Sequence, residues 1–382
     1  IEGVAADVPR LDYPLIDGVV QDCPALLLEP SRTNDIQRTE EFDNSYWTKY
    51  DTSVSANQVV SPDGAVTADK LIEDTGTSNH MIGRSFSFTS GTTYAVSVFV
   101  KENGRDLEIA AGNPNTWRGS AKYNLSTGSV QSTTYGTASI ENFGNGWYRC
   151  VLVGEAIATS STNILFKLVS GTSTSYTGNG SSGVYLWGAQ REIGSYQTSY
   201  ISWDGSGSTT RSADTCNNAG TSAEFNDSEG VLFFETAALA NDSTFRNICI
   251  SDGSSSDKIQ FYYYGSNNNI AYVIVSASST QASDNTKTLS NSLEFNKIGI
   301  KYKQNDFALW ANGFELSTDT SGNTPIGLNE VAFDDGNGGS PFYGKTKQLM
   351  TFKTALTDSE LETLTSWDSF NAMAKGQLYT IE

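Results

Sequence analysis

The chain has 382 residues, enough for two or three domains, and its 18% charged and 11% aromatic residues favour short strands joined by polar turns over helices. Its 24 basic and 43 acidic residues give a formal net charge of −19, and a surface this acidic repels phosphate backbones, so nucleic acid is not an expected partner. No apolar window of about 18 residues is present, so insertion into a membrane is not expected.

Residues 1–35 are predicted to form an extended N-terminal arm. The segment VPRLDYPLIDG has two prolines among alternating apolar residues, and CPALLLEPSRTN has one apolar run that ends at Pro30. Proline removes a backbone donor and restricts the residue before it, so an extended segment or an isolated strand fits better than a helix. The chain opens at Ile1 rather than at Met, and we expect it to be part of a longer polypeptide.

Residues 36–204 are predicted to form a first β-sandwich module. Apolar residues recur at every second position in TYAVSVFVK, and similar strands follow in WYRCVLVGEA, NILFKLVS and VYLWGAQ. Several strands separated by polar turns are typical of an antiparallel jelly roll. Residues 205–226 are poor in bulky apolar residues and rich in Gly, Ser, Thr and Asn, which predicts a linker or a loop lying on the surface.

Residues 227–382 are predicted to form a second sandwich with one short C-terminal helix. Asn312-Gly313 is a strong signal for a hairpin between two strands. Thr357 followed by Glu360 forms a capping box that predicts the start of the helix, and Leu361 and Leu364 give the helix an apolar face. The fold class is therefore predicted as all-β, with two antiparallel modules in tandem.

The first module resembles a carbohydrate-binding-module-like β-sandwich found in phage tail-fibre and head-spike proteins. The resemblance spans most of residues 22–215 and is carried by ALLLEPSRTN, EFDNSYWTK, SPDGAVTADKL, GTTYAVSVFVK, NFGNGWYRC, YTGNGSSGVYLWGAQREIGSYQTSYI and TTRSADT, in that order. The second module resembles a laminin-G or concanavalin-like lectin domain, through NKIGIKYKQNDFALWANGFEL and FYGKTKQLMTFKTALTDSEL.

These resemblances imply a phage virion appendage, a head fibre, spike or tail fibre, displayed on the virion surface. The partners they imply are host or environmental glycans, other virion proteins and further copies of the chain in a trimer. A fold resemblance does not by itself establish carbohydrate binding. The alternative is a secreted polysaccharide-active enzyme or its non-catalytic glycan-binding module, and a bacterial surface adhesin is a third reading.

Enzymatic chemistry has little support in the sequence. The E-x-D-x-E pattern that would set two carboxylates on one strand face is absent, and no G-x-S-x-G elbow occurs. His80 is the only histidine, and with Arg84 it would have to supply the base and the cation of a polysaccharide lyase. A surface or turn histidine beside a strand explains it better, so no catalytic residue is assigned.

Glycan binding requires exposed aromatic rings among polar side chains. The segment NPNTWRGSAKYN offers Asn115, Trp117, Arg118 and Tyr123, with the alternative that Trp117 packs at the edge of the sandwich. Tyr262, Tyr263 and Tyr264 are consecutive on a predicted strand, so at least one of the three must face outward. Tyr263 is taken as the candidate.

A structural Ca²⁺ is considered for the Gly-rich loop that offers Asp334, Asp335 and Asn337, although an ordinary acidic turn explains the same residues. No cofactor is assigned with certainty. The remaining aromatic and sulfur-containing residues are predicted to be structural: Trp47, Trp147, Trp187, Trp310 and Trp367 as packed rings, and Cys23, Cys150, Cys216 and Cys249 as buried free thiols.

Overall fold

The computed structural model describes residues 8–16, 19–20 and 22–366, whose regular elements are antiparallel strands and one helix. They fall into two compact units. Unit 1 comprises residues 14–16, 19–20, 22 and 31–212, and unit 2 comprises residues 8–13, 23–30 and 213–366. The all-β prediction, with antiparallel sandwich modules and a C-terminal helix, is confirmed.

The first twenty strands in chain order are β1 (Leu11–Asp12), β2 (Leu15–Ile16), β3 (Val19–Val20), β4 (Ala25–Leu28), β5 (Arg32–Asn34), β6 (Thr48–Tyr50), β7 (Thr52–Val59), β8 (Ala68–Glu73), β9 (Thr77–Asn79), β10 (Met81–Phe88), β11 (Thr93–Asn103), β12 (Asp106–Ala111), β13 (Ser120–Asn124), β14 (Ser129–Tyr135), β15 (Thr137–Gly144), β16 (Trp147–Glu155), β17 (Ser160–Val169), β18 (Ser175–Thr177), β19 (Gly183–Ile193) and β20 (Thr209–Arg211).

The remaining elements are β21 (Glu229–Ala238), β22 (Ser243–Ser251), β23 (Lys258–Gly265), β24 (Asn269–Ser276), β25 (Ser279–Thr288), β26 (Asn296–Lys303), β27 (Asp306–Ala311), β28 (Phe314–Asp319), β29 (Glu330–Ala332), β30 (Gly344–Phe352) and helix α1 (Asp358–Ser366).

Unit 1 is a sandwich of two six-stranded sheets, ordered β14-β13-β12-β17-β10-β6 and β15-β16-β11-β19-β8-β7. Its core lies between them. The apolar residues predicted to alternate on β11 all face this core: Tyr94, Val96, Val98 and Val100. Phe99 points to the opposite face and packs there with Trp147 and Trp187, so both faces of the strand are buried. The burial predicted for these two tryptophans is confirmed.

Unit 2 is also a two-sheet sandwich, ordered β1-β4-β30-β21-β26-β27-β28 and β25-β24-β23-β22-β29. Asn312 and Gly313 both have positive φ, 50° and 85°, and they join β27 to β28 as predicted. This backbone matches the twist of the flanking strands, which explains why the Asn-Gly pair marks a hairpin.

The N-terminal segment differs from the predicted separate arm of residues 1–35. Within it, β4 pairs with β30 and so belongs to the seven-stranded sheet of unit 2. Leu27 and Leu28 are buried there, which explains why this segment is apolar. The predicted linker, residues 205–226, is also partly ordered, because β20 pairs with β5 in unit 1.

Helix α1 begins as the capping box predicts. The Glu360 carboxylate accepts hydrogen bonds from the Thr357 backbone N–H (2.8 Å) and hydroxyl (2.7 Å). Leu361 and Leu364 bury against Phe233 and Trp310 on the outer face of the seven-stranded sheet. Trp367 lies outside the described residues, as does the predicted docking of its ring.

All four cysteines are free thiols. Cys150 and Cys249 are buried as predicted, and burial raises the pKa of both thiols, for Cys249 to about 12. Cys216 is half-buried, and Cys23 is exposed, which corrects the prediction for that residue. No helix among the described residues is long and apolar enough to span a membrane.

Candidate functional site: an exposed aromatic surface

The first predicted glycan site is not assembled. Trp117 is 0% exposed, its ring stacks on Phe88 with centroids 5.5 Å apart, and its Nε1–H donates to the Gly154 carbonyl at 2.8 Å. Tyr123 is equally buried and its hydroxyl donates to the Val151 carbonyl at 2.6 Å. Neither ring can stack on a sugar, so both assignments are wrong.

The polar members of that site remain on the surface of unit 1. Asn115 and Arg118 are exposed, and their backbone N–H groups donate to the Asn113 side chain (3.0 Å) and to the Glu155 carbonyl (2.9 Å), respectively. Both therefore belong to the turn that brings Trp117 into the core. The alternative weighed for this tryptophan, structural packing, is the one the structure supports.

The three consecutive tyrosines on β23 point alternately to the two faces of the sheet. Tyr263 is 3% exposed and points into the core of unit 2, where its hydroxyl lies 3.0 Å from the Thr236 hydroxyl. Burial raises its pKa, so it stays a neutral phenol. Its assignment as the exposed ring is therefore wrong. Tyr262 and Tyr264 point outward and are half-buried.

A third ring, which the sequence did not single out, completes this outward face. Ser243 pairs with Gly265 and Arg246 pairs with Tyr263, so β22 has one extra residue opposite Tyr264. A β-bulge of this kind re-aims the side chains next to it. Phe245 lies in the bulge and is 50% exposed.

The three rings form a triangle, which we call the aromatic surface: Phe245, Tyr262 and Tyr264. The Phe245 centroid is 5.8 Å from that of Tyr262 and 6.1 Å from that of Tyr264. The two tyrosine centroids are 5.7 Å apart. Phe245 is exposed and the two tyrosines are partly exposed, so the rings form one contiguous patch, whereas single exposed apolar residues are ordinary.

Fixed polar groups border the aromatic surface. Asn247 lies opposite Tyr262 in the ladder; its Oδ1 accepts from Gln260 Nε2 at 2.6 Å and its Nδ2 donates to the Ser340 carbonyl at 2.7 Å. Burial raises the pKa of Tyr262, and the neighbouring Tyr264 raises it further by a smaller amount. The Tyr262 hydroxyl is therefore a neutral donor and acceptor at physiological pH.

The loop considered for Ca²⁺ uses its carboxylates internally. Asp334 accepts from the Gly336 N–H at 2.7 Å, and Asp335 accepts from the N–H groups of Asn337 (3.0 Å) and Gly339 (2.9 Å). Across the described ranges, no group of three His, Cys, Asp or Glu residues is placed to hold a metal ion. The loop reads as an acidic turn whose side chains hold its own backbone.

His80 and Arg84, weighed as a lyase pair, are not placed for that chemistry. His80 is fully buried; its Nδ1 is 2.8 Å from the Asp51 carbonyl oxygen and its Nε2 is 3.2 Å from that of Tyr176. Arg84 lies instead over the ring of Tyr46, 4.4 Å from its centroid. A base that reaches substrate must be accessible to it, and this histidine is enclosed by its own unit.

Comparison with known proteins gave neither a matching family model nor a matching curated protein. Among solved structures, the chain is similar to the CBM40 module of a Ruminococcus gnavus IT-sialidase bound to α2,3-sialyllactose (TM-score 0.33, 13% identity, 39% of this chain and 93% of that chain). It is also similar to the LG4-5 domains of mouse laminin α1 (TM-score 0.25, 9% identity, 72% of this chain and 90% of that chain).

Proposed function

We propose that this chain is a glycan-adhesion protein of a phage virion appendage, a head fibre, spike or tail-fibre segment, whose second unit binds host-surface glycans through the aromatic surface. The observation that carries the binding proposal is the triangle of Phe245, Tyr262 and Tyr264 on an outward sheet face. Sugar rings present C–H faces that stack on aromatic rings, and their hydroxyls bond to polar groups beside the stack.

The appendage part of the proposal is supported by the sequence segments in which unit 1 resembles phage fibre and spike proteins. Several of those segments contain buried residues of the sandwich, for example Trp147 in NFGNGWYRC and Trp187 in GVYLWGAQREIG. Unit 1 then serves as a display module, and adhesion is assigned to unit 2. Virion-surface localisation follows from this assignment.

A single aromatic surface of this size binds a sugar weakly. Appendages that carry several copies of a binding site gain avidity. We propose that the chain assembles as a trimer, so that three copies of the aromatic surface act together on one cell surface. Light scattering of the full chain after size-exclusion chromatography should give the mass of three chains. A monomer at all concentrations would contradict the proposed trimer and its avidity. It would not affect the proposal that the aromatic surface binds glycans.

An array of bacterial surface glycans tests the adhesion proposal. The wild-type chain should bind a subset of glycans, and Tyr262→Ala combined with Tyr264→Ala should abolish that signal. Phe314→Ala is the matched control, because Phe314 is 70% exposed in the same unit but lies outside the aromatic surface. Equal binding by the double variant and the wild type would refute the proposal, and release of new reducing ends would favour the enzyme alternative.

A further inference from the structure

A cleft of about 490 Å³ opens on the other sheet of unit 2, away from the five-stranded sheet that carries the aromatic surface. Its walls include Glu235, Glu294, Lys297 and Lys347. Small-molecule sites commonly measure ~300–1,000 Å³, so this cleft is large enough for a ligand.

Glu235 is the unusual member of this cleft. It is 5% exposed, and its Oε2 is buried without a hydrogen-bond partner among the described residues. A buried carboxylate oxygen without a donor costs free energy, and native structures rarely leave one unmatched. Because the residue lines an open cleft, a ligand can supply the missing donor.

Local structure fixes the carboxylate in place. Glu235 pairs with Lys297 on β26 and with Gln348 on β30, and a bulge at the next position makes Lys347 an extra residue in β30. The Lys347 Nζ lies 3.5 Å from Glu235 Oε1 and 4.0 Å from the centroid of the Phe295 ring. The ammonium therefore lies beside Oε1, while the buried Oε2 has no hydrogen-bond donor among the described residues.

The charges of the cleft define the class of ligand. Two carboxylates, Glu235 and Glu294, are balanced by two ammonium groups, Lys297 and Lys347. A balanced cleft does not favour a charged ligand, and a carboxylate oxygen without a donor favours a ligand that donates hydrogen bonds. We propose that this cleft is a second saccharide site, in which neighbouring hydroxyls of one sugar ring donate to Glu235.

The test uses the full chain, with the methyl glycosides of glucose, galactose, mannose and N-acetylglucosamine as probes in saturation-transfer NMR. At least one glycoside should bind, and Glu235→Gln should weaken that binding about tenfold, because a charged acceptor is replaced by a neutral one. Thermal unfolding of the free variant should stay close to that of the wild type, since the amide has the size of the carboxylate and Oε2 has no donor to lose among the described residues.

Lys347→Met is a second variant that leaves the carboxylate in place and removes only its cationic neighbour, and it should also weaken binding. Tyr262→Ala should leave binding of the same glycoside unchanged, which separates this site from the aromatic surface. No binding of any glycoside to the wild type, or unchanged affinity in Glu235→Gln, would overturn the proposal. Either result would leave the adhesion proposal standing, because that one rests on different residues.

Discussion

Arg10 and Asp214 are 204 residues apart in the sequence, and the Arg10 Nη1 lies 2.6 Å from the Asp214 Oδ2 in unit 2. The same guanidinium donates through Nη2 to Glu29 Oε2 at 2.7 Å. Asp214 also accepts from the Glu29 backbone N–H at 2.8 Å. One arginine thus ties the segment before unit 1 to the segment after it.

Replacement of Arg10 should destabilise unit 2. Arg10→Ala leaves two carboxylates without their cation, at side-chain exposures of 5% for Glu29 and 19% for Asp214, and we expect a loss of about 3 kcal/mol in the free energy of unfolding. Urea unfolding of the full chain measures it. Lys303→Ala is the control, because its pair with Glu229 lies in the same unit and is more solvent-exposed, so its loss should change stability little. Equal effects of the two variants would contradict the account.

Trp117→Ala should act on stability rather than on binding. Removal of a fully buried ring that stacks on Phe88 leaves a cavity, and the expected cost is about 3–5 kcal/mol in unit 1. Differential scanning calorimetry should show a lowered transition, while glycan binding by the folded protein is retained. Tyr135→Ala, at a ring that is 41% exposed in the same unit, should change the transition little. Specific loss of glycan binding at unchanged stability would restore Trp117 as a ligand residue.

Asp284 should make the stability of unit 2 depend on pH in the acid range. Desolvation alone would raise its pKa, but hydrogen bonds from Thr286, Ser317 and Lys287 outweigh it and lower the pKa to about 2. A carboxyl whose folded pKa is depressed stabilises the protein above its unfolded pKa of ~3.9, and that stability is lost as the pH falls toward the folded value.

Asp284→Asn measures this contribution. The difference in free energy of unfolding between wild type and variant should be constant above about pH 5, and should shrink between about pH 4 and pH 2. Chemical unfolding at several pH values gives the difference directly. A difference that does not vary with pH would show that the aspartate contributes only through its shape and neutral hydrogen bonds.

Local signals predicted local structure well. The Asn312-Gly313 turn, the Thr357–Glu360 capping box and the alternation along β11 all depend on residues close in sequence, and each is confirmed. These features are readable because backbone conformation and side-chain period are set within a few residues.

Contacts between residues far apart in the chain were not predictable from the sequence. The pairing of β4 with β30 joins residues more than 300 positions apart. The apolar run ALLL predicts a buried strand but does not indicate which strand it pairs with. Phe245 reaches the aromatic surface through a bulge, whose position depends on the register with β23. The polar neighbours of Trp117 indicate an exposed loop, whereas the ring itself turns inward and is fully buried.

The affinity of Tyr262 variants for a glycan identified on the array tests the central claim most directly. If the ring stacks on sugar, Tyr262→Phe should retain affinity within about threefold, while Tyr262→Ala should lose about tenfold or more, as removal of an interface anchor does. Titration calorimetry on folded variants measures both. Equal affinity of Tyr262→Ala and the wild type would contradict the assignment of glycan binding to the aromatic surface.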